Sequence, residues 1–153
     1  MSSTFTLPLR LNTRQQISND GSVTPENTGA ALISQQTPIV AATASTVTIP
    51  AGSIINSIDA YLNVVGAASR ALSITSNGTT TSIGSVTTTA LGRVPATFTA
   101  SAAVANLLAN VGIYDVTLTL ASEAASAGVL SVQYTGRNQD GSITPYGSGY
   151  SNN

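Results

Sequence analysis

Alternation of apolar and polar residues with a period of two is the feature that most constrains the fold of this chain. In residues 54–65, Ile58, Ala60 and Leu62 share one face, and the residues between them are polar or aromatic. This period is typical of a β-strand with one buried face. Six further segments are predicted to be strands: residues 4–11, 46–49, 71–76, 79–86, 113–120 and 128–135.

Turn and cap signals separate the predicted strands. Asn77-Gly78 is typical of a type I′ hairpin turn, which needs two residues with positive φ. Residues 101–111 have helical spacing, with Ser101 as a candidate N-cap. Short strands at regular spacing predict an all-β fold, a β-sandwich or jelly-roll-like barrel of about seven or eight short strands. One short helix and extended N- and C-terminal arms complete this prediction.

The chain is predicted to divide into three parts. Residues 1–45 are an N-terminal strand and extended arm, in which residues 30–44 form an arm or irregular connection because their periodicity is weak. Residues 46–135 form the sandwich core. Residues 136–153 form a hairpin-like turn followed by a glycine-rich flexible tail.

One short motif occurs twice, near the two ends of the chain. Residues 19–25 (NDGSVTP) closely match residues 139–145 (QDGSITP). The simpler interpretation is two similar Asp-Gly turns. The alternative is that both terminal parts carry the same small hairpin, which contacts equivalent places in an assembly. Residues 25–29, after the first copy, are predicted to be a loop.

The terminal parts also contain the candidate partner contacts. The strand at residues 4–11 has an apolar face, and tyrosines in the tail can bury area while keeping a hydroxyl bond. The five arginines are scattered singly, so we interpret them as separate bidentate anchors on partner carboxylates or carbonyls. The candidate contacts are Phe5, Leu7, Leu9, Arg10, Arg14, Arg137, Tyr146 and Tyr150.

The side chains available exclude most catalytic chemistry. The sequence has no histidine, cysteine, tryptophan or lysine, so it lacks an imidazole base, a thiol nucleophile and a Schiff-base amine. Asp59 and Asp115 lie on outward faces of predicted strands, so they could be neighbours, as the paired carboxylates of a glycosidase would be. A solvated or arginine-paired role is favoured for both. Asp20 and Asp140 precede glycines and suit turns better than calcium ligation. We therefore expect no enzymatic activity, no cofactor and no metal.

Low charge predicts which partners the chain binds. Only 7% of the residues are charged, and the formal net charge is -1. We therefore expect no nucleic-acid partner, because phosphate backbones are bound by basic stripes. No apolar stretch reaches the ~20 residues of a membrane span, and no targeting segment precedes the first strand, so we expect no membrane partner. A neutral surface poor in Lys and Glu predicts association with protein, including a homo-oligomer, dimer or trimer.

Several motifs of the core resemble small virion structural proteins of tailed bacteriophages. They are IPAGSII (49–55), the strand at 58–65, LGR (91–93), YDVTLTL (114–120) and AGVLSVQY (127–134). The resemblance implies a capsid decoration, or cement, protein that binds the major capsid protein outside the phage head and stabilises contacts between its subunits. It also implies a location on the virion exterior after assembly in the bacterial cytoplasm. The alternative is a host-adhesion, head-fibre or tail component that binds surface glycan.

Overall fold

A computed structural model of the chain describes residues 14–16, 26–28 and 32–136, and it shows a sandwich of antiparallel sheets. The prediction of an all-β sandwich with one short helix is confirmed. In chain order the elements are β1 (Arg14–Gln16), β2 (Glu26–Thr28), β3 (Leu32–Ile39), β4 (Ser45–Ile49), β5 (Ile54–Val64), β6 (Ser69–Ser76), β7 (Thr79–Thr87), β8 (Gly92–Pro95), β9 (Thr97–Phe98), α1 (Ala102–Ala109), β10 (Val116–Leu120) and β11 (Ala127–Thr135).

Two sheets enclose the core. One has five strands in the order β4-β10-β6-β7-β9, and the other has four in the order β3-β11-β5-β8. Their alternating apolar residues point inward and are almost fully buried, for example Leu72, Leu118, Ile58 and Leu130. Strands β1 and β2 pair separately as a two-stranded ribbon. The period-two pattern therefore predicts the buried faces because each strand has one side against the other sheet.

The turn and cap predicted from the sequence are both present. Asn77 and Gly78 have φ angles of 44° and 79°, as a type I′ turn requires, and they join β6 to β7. At the start of α1, the Ser101 hydroxyl accepts the Val104 N–H at 3.2 Å. Val104 is the buried residue of this helix and packs into the core. Within the described part of the chain, no helix has the length and hydropathy needed to cross a bilayer.

The interpretation of residues 30–44 as an arm or irregular connection is wrong for residues 32–39. They form β3, which pairs with β11 along its whole length. The sequence shows no apolar alternation here because the inward positions, opposite the buried Val132 and Leu130, are occupied by the polar Gln35 and Thr37. The Gln35 amide is accommodated there by donating to the Tyr134 hydroxyl at 2.7 Å.

Other boundaries also differ from the predictions. Glu26–Thr28 was expected to be loop, but it forms β2 and pairs with β1. The short strands β8 and β9 have too few residues to show a period. Strand β10 begins at Val116 rather than residue 113, because the Asp115 carboxylate accepts the Ala51 N–H at 2.8 Å and belongs to the preceding turn.

Candidate protein-binding face and its arginine centre

The side chains on the outer face of the four-stranded sheet are identified from the burial of their neighbours on the inner face. Ile58, Ala60 and Leu62 of β5 point into the core, so Asp59 and Tyr61 point outward. In β11, Leu130, Val132 and Tyr134 point into the core, so Val129 and Ser131 lie on the opposite side of the sheet, where Val129 is exposed and Ser131 is buried. We call this surface the outer face.

One row of the outer face crosses all four strands. Tyr61 is paired with Arg93 of β8 on one side and with Val129 of β11 on the other, and Val129 is paired with Pro38 of β3. Tyr61 is 45% exposed and Val129 is 36% exposed. Beside this row, Gln36 and Thr37 join Pro38 and Val129 around a shallow depression of about 200 Å³. The row is an aromatic and aliphatic strip that ends in one guanidinium.

The charges at the end of this row neutralise each other. The Arg93 guanidinium lies 2.9 Å from the Asp59 carboxylate, and the Asp59 side chain is only 6% exposed. Arg93 itself is 60% exposed. Of the two roles favoured for Asp59 from the sequence, solvated or arginine-paired, the structure shows the arginine-paired one. The carboxylate at the end of the row is therefore paired with an arginine of the same chain.

More apolar side chains surround one end of the sandwich. Antiparallel pairing brings the end of β3, the end of β5 and the start of β8 to the same side of the sheet. The exposed residues there are Val40, Val64, Val65 and Leu91, which we call the apolar rim. The rim and the row at Tyr61 lie at the same end of the four-stranded sheet.

A buried arginine lies under this end of the sandwich. Arg70 is 1% exposed, because in β6 it has the same phase as the buried Leu72 and Ile74. Its Nε donates to the Ser126 hydroxyl at 2.8 Å, and its Nη2 donates to the Ser126 carbonyl at 2.9 Å. The guanidinium also donates to four other carbonyls, those of Val40, Thr43, Ala121 and Glu123.

These bonds tie together loops that are far apart in the chain. The loop at 40–44 joins β3 to β4, and the loop at 121–126 joins β10 to β11. The Ala42 N–H donates to the Glu123 carbonyl at 2.8 Å, which connects the two loops directly. Burial lowers the pKa of Arg70, and the Glu123 carboxylate opposes that shift. We call Arg70 and its hydrogen-bond partners the arginine centre.

Glu123 extends the arginine centre to a third loop. Its carboxylate accepts the Ser126 N–H at 2.8 Å and the Ala67 N–H at 3.1 Å, in the loop between β5 and β6. Hydrogen bonds from the Ser126 hydroxyl and N–H, and then from Ala67, lower the pKa of Glu123 to about 2. The Gly66 N–H donates to the Thr88 carbonyl at 2.7 Å, so β7 is also held to this loop. The loops that present Val40 and Val65 are thus fixed from beneath.

Most of the sequence-predicted contacts cannot be compared with this surface. The backbone of Arg14 lies in β1, where it pairs with Thr28. The other predicted contacts lie outside the described residues: Phe5, Leu7, Leu9, Arg10, Arg137, Tyr146 and Tyr150. The predicted strand at 4–11 and both copies of the repeated motif also lie outside them.

The interpretation of every arginine as an anchor on a partner is wrong for Arg70. Its acceptors are carbonyls of its own chain, because Arg70 lies on the buried side of β6. Its phase relative to Leu72 and Ile74 is a signal in the sequence that could have identified it. The outer-face row has no such signal, since it depends on the register between strands.

Asp59 and Asp115 do not share a site. Asp59 lies in the four-stranded sheet with Arg93, whereas Asp115 precedes β10 of the five-stranded sheet and accepts from Ala51. Across residues 32–136 and the two short strands before them, no three acidic, His or Cys residues group closely enough for a metal ion.

Comparison with known proteins identifies no relative. The chain matches no protein-family model, and it has no significant match among curated proteins or solved structures.

Proposed function

We propose that this chain is a capsid decoration protein of a tailed bacteriophage, which binds the major capsid protein through the outer face and apolar rim. The observation that carries the proposal is the row of Tyr61, Val129 and Pro38, exposed on a rigid sheet and bordered by an internally paired charge. Apolar surface with aromatic residues and few free charges is typical of the centre of protein interfaces.

The sequence supports the same proposal. The core motifs resemble small phage virion proteins, and the chain has neither histidine nor cysteine for the common catalytic mechanisms. A decoration protein acts through contact area and geometry, and both are available on the outer face. Stable interfaces bury about 1,200–2,000 Å² in total, so the rim and the row would act together.

A binding experiment with phage heads tests the proposal. Heads of the phage that encodes this chain are prepared without it and mixed with the purified, labelled protein, and bound copies are located by cryo-electron microscopy. We expect ordered density on the outer surface of the shell, and heads that resist heating better than bare heads. Density on the tail alone, or no binding to heads, would contradict the proposal.

Variants identify which face binds. Tyr61→Ser and Val129→Ser each remove an exposed apolar contact from the outer face. Phe98→Ser is the matched control, because Phe98 is 36% exposed in β9 of the other sheet. We expect the outer-face variants to bind heads at least about fivefold more weakly, since apolar anchors at an interface contribute more than about 1 kcal/mol each. Equal loss with Phe98→Ser would show that another surface binds.

Glycan binding is the second candidate function. Tyr61 is exposed beside the Arg93–Asp59 pair, and an aromatic ring flanked by polar groups can stack on a sugar and donate hydrogen bonds to it. A glycan array distinguishes the two functions. Binding to one glycan class that is lost in Tyr61→Ser would favour host adhesion over capsid decoration.

A further inference from the structure

Strand β3 is an edge strand among the described residues, and the pairing of its sheet determines which of its backbone groups point away from the sheet. The Ala96 N–H donates to the Ile58 carbonyl at 2.9 Å, so the backbone groups of Ile58 point toward β8. Backbone groups alternate sides along a strand, so those of Asp59 and Tyr61 point toward β11. The register of β11 with β5 and with β3 extends this alternation across the sheet. The backbone groups of Ile33, Gln35 and the other odd-numbered residues of β3 therefore face β11.

The even-numbered residues of β3 therefore present their backbone groups away from the sheet. Pro38 has no N–H, and its carbonyl accepts the Ser45 hydroxyl at 2.7 Å, which agrees with this phase. The end of the edge at Pro38 is thus closed. Leu32, Ser34 and Gln36 remain with an N–H and a carbonyl directed outward, and no bond from another described residue to these groups is recorded.

The other sheet edges in the described part of the chain offer fewer free groups. In β8 the outward residues are Arg93 and Pro95, so this edge has a charged side chain and a residue without an N–H. Strand β9 has only two residues. These are the usual ways in which proteins prevent pairing between sheet edges.

Strand β4 is the nearest comparison with β3. The Ala121 N–H donates to the Ala71 carbonyl at 2.8 Å, so the even-numbered residues of β10 face β4, and Thr46 and Thr48 face outward. Pro50 then ends that edge. Strand β4 therefore offers two consecutive outward residues, against three in β3.

We propose that the β3 edge pairs antiparallel with the β3 edge of a second copy of this chain, around a two-fold axis at Ser34. In this register Ser34 pairs with its own copy, and Leu32 pairs with Gln36, so every outward N–H and carbonyl of the three residues is satisfied. Pro38 lies beyond the paired segment and removes none of these bonds. The two four-stranded sheets then become one continuous sheet.

Charge favours a second copy as the occupant. A two-fold pair places a strand opposite a second copy of itself, so a strand with charges of one sign would repel its copy. Residues 27–58 contain no charged residue, so β3 and both of its flanking segments lack this repulsion. The pairing also covers Leu32 and Ile33, which are exposed large apolar residues at this edge.

Side-chain bonds hold β3 ready for this pairing. The Ser34 and Ser131 hydroxyls lie 3.3 Å apart, and Gln35 is bonded to Tyr134, so the strand is fixed to β11 on both faces. A fixed edge loses little conformational freedom when it pairs.

Sedimentation of full-length variants tests the proposal. Ser34→Pro removes the central outward N–H and no backbone bond to β11, and Pro38 shows that proline is accommodated in this strand at the same phase. The substitution also removes the contact of the Ser34 hydroxyl with Ser131. Thr48→Pro is the matched control on the outward side of β4. Measured from about 1 to 200 µM, the wild type should be a dimer at the upper end, because an interface this small binds weakly. We expect Ser34→Pro to raise the dissociation constant at least about tenfold and Thr48→Pro to leave it unchanged.

A cysteine variant identifies the occupant and does not depend on the proline variant folding. The chain has no cysteine, so Ser34→Cys can form a disulfide only with another copy. Residues opposite each other in an antiparallel pair have Cα atoms about 5.5 Å apart, within disulfide range. We expect rapid covalent dimers of Ser34→Cys and none of Thr48→Cys. Any of three results would overturn the proposal. The wild type could be a monomer, Ser34→Pro could leave the dissociation constant unchanged, or Ser34→Cys could form no cross-link because residues 4–11 occupy the edge.

Discussion

Replacing the buried guanidinium of Arg70 with the apolar side chain of methionine should strongly destabilise the protein. In Arg70→Met, the hydroxyl and carbonyl of Ser126 lose fully buried donors, and each unsatisfied buried group costs about 1–3 kcal/mol. The other carbonyls are only partly buried, so water can replace much of what they lose. We therefore expect the free energy of unfolding to fall by about 3–5 kcal/mol, against a total of about 5–15 kcal/mol for an ordinary domain.

Urea unfolding measures this loss. With a dependence on urea of about 2 kcal/mol per molar, the midpoint should fall by about 2 M. Arg93→Met is the matched control, since it removes the same charge with the same substitution. The loss of Arg93 leaves the Asp59 carboxylate, which is 6% exposed, without its partner, but water can enter because Arg93 is 60% exposed, so we expect a smaller cost of about 1–2 kcal/mol.

Hydrogen exchange separates local from global effects. In Arg70→Met the amides of Ala42, Ala67 and Ser126 should exchange faster than can be explained by the lower global stability, because their loops are held by the arginine centre. If Arg70→Met and Arg93→Met unfold at the same urea concentration, or if these amides keep their protection, then Arg70 does not hold the loops together.

Three further changes test other parts of the structure. Gly128→Ala should destabilise the protein by about 1–3 kcal/mol in urea unfolding, because the new Cβ would overlap the Tyr61 carbonyl oxygen in the adjacent strand; an unchanged midpoint would contradict this packing. Gly78→Ala has open space around it, so its cost in the same assay should be about 1 kcal/mol, from φ alone, and no loss would exclude the type I′ turn. The pKa of Glu123 is lower in the fold than its ordinary value of 4.5, so the ionised carboxylate stabilises the fold above about pH 4.5, and this stabilisation is lost as pH falls toward about 2. Glu123→Gln should therefore flatten the dependence of stability on pH in that interval, and identical profiles for variant and wild type would refute the assignment.

The sequence predicts those strands in which the apolar period is complete. Strands β5, β10 and β11 have runs of apolar residues at alternate positions, and these residues are buried, although Asp59 and Ser131 between them are buried as well. Strand β3 was missed because Gln35 and Thr37 face inward at the border of the sandwich, where an amide can be bonded to Tyr134. Period two is thus a reliable signal for central strands and a weak one for the edges of a sheet.

The candidate site could be predicted only in part. The exposure of Tyr61 follows from its phase against Ile58 and Leu62, but the row it forms with Val129 and Pro38 depends on the register between strands. The burial of Arg70 is readable from its phase within β6, yet its acceptors belong to loops more than twenty residues away in either direction. Such contacts are set by the closure of the sandwich, which no local pattern records.

The composition of the loops explains why an arginine is buried beneath the rim. The loops at 40–44, 65–68 and 121–126 consist mostly of alanine and other small residues, so they have almost no apolar side chain to pack against one another. Their backbone carbonyls nevertheless turn inward and need donors. A guanidinium offers five N–H donors from one plane, whereas an ammonium offers three, so a single arginine can satisfy carbonyls from several loops at once. Removing the charge of this arginine from water costs free energy. Its hydrogen bonds in turn fix one arrangement of Val40 and Val65. A rim that is already ordered loses less conformational entropy when another protein covers it, so the buried charge and the proposed binding surface are parts of the same design.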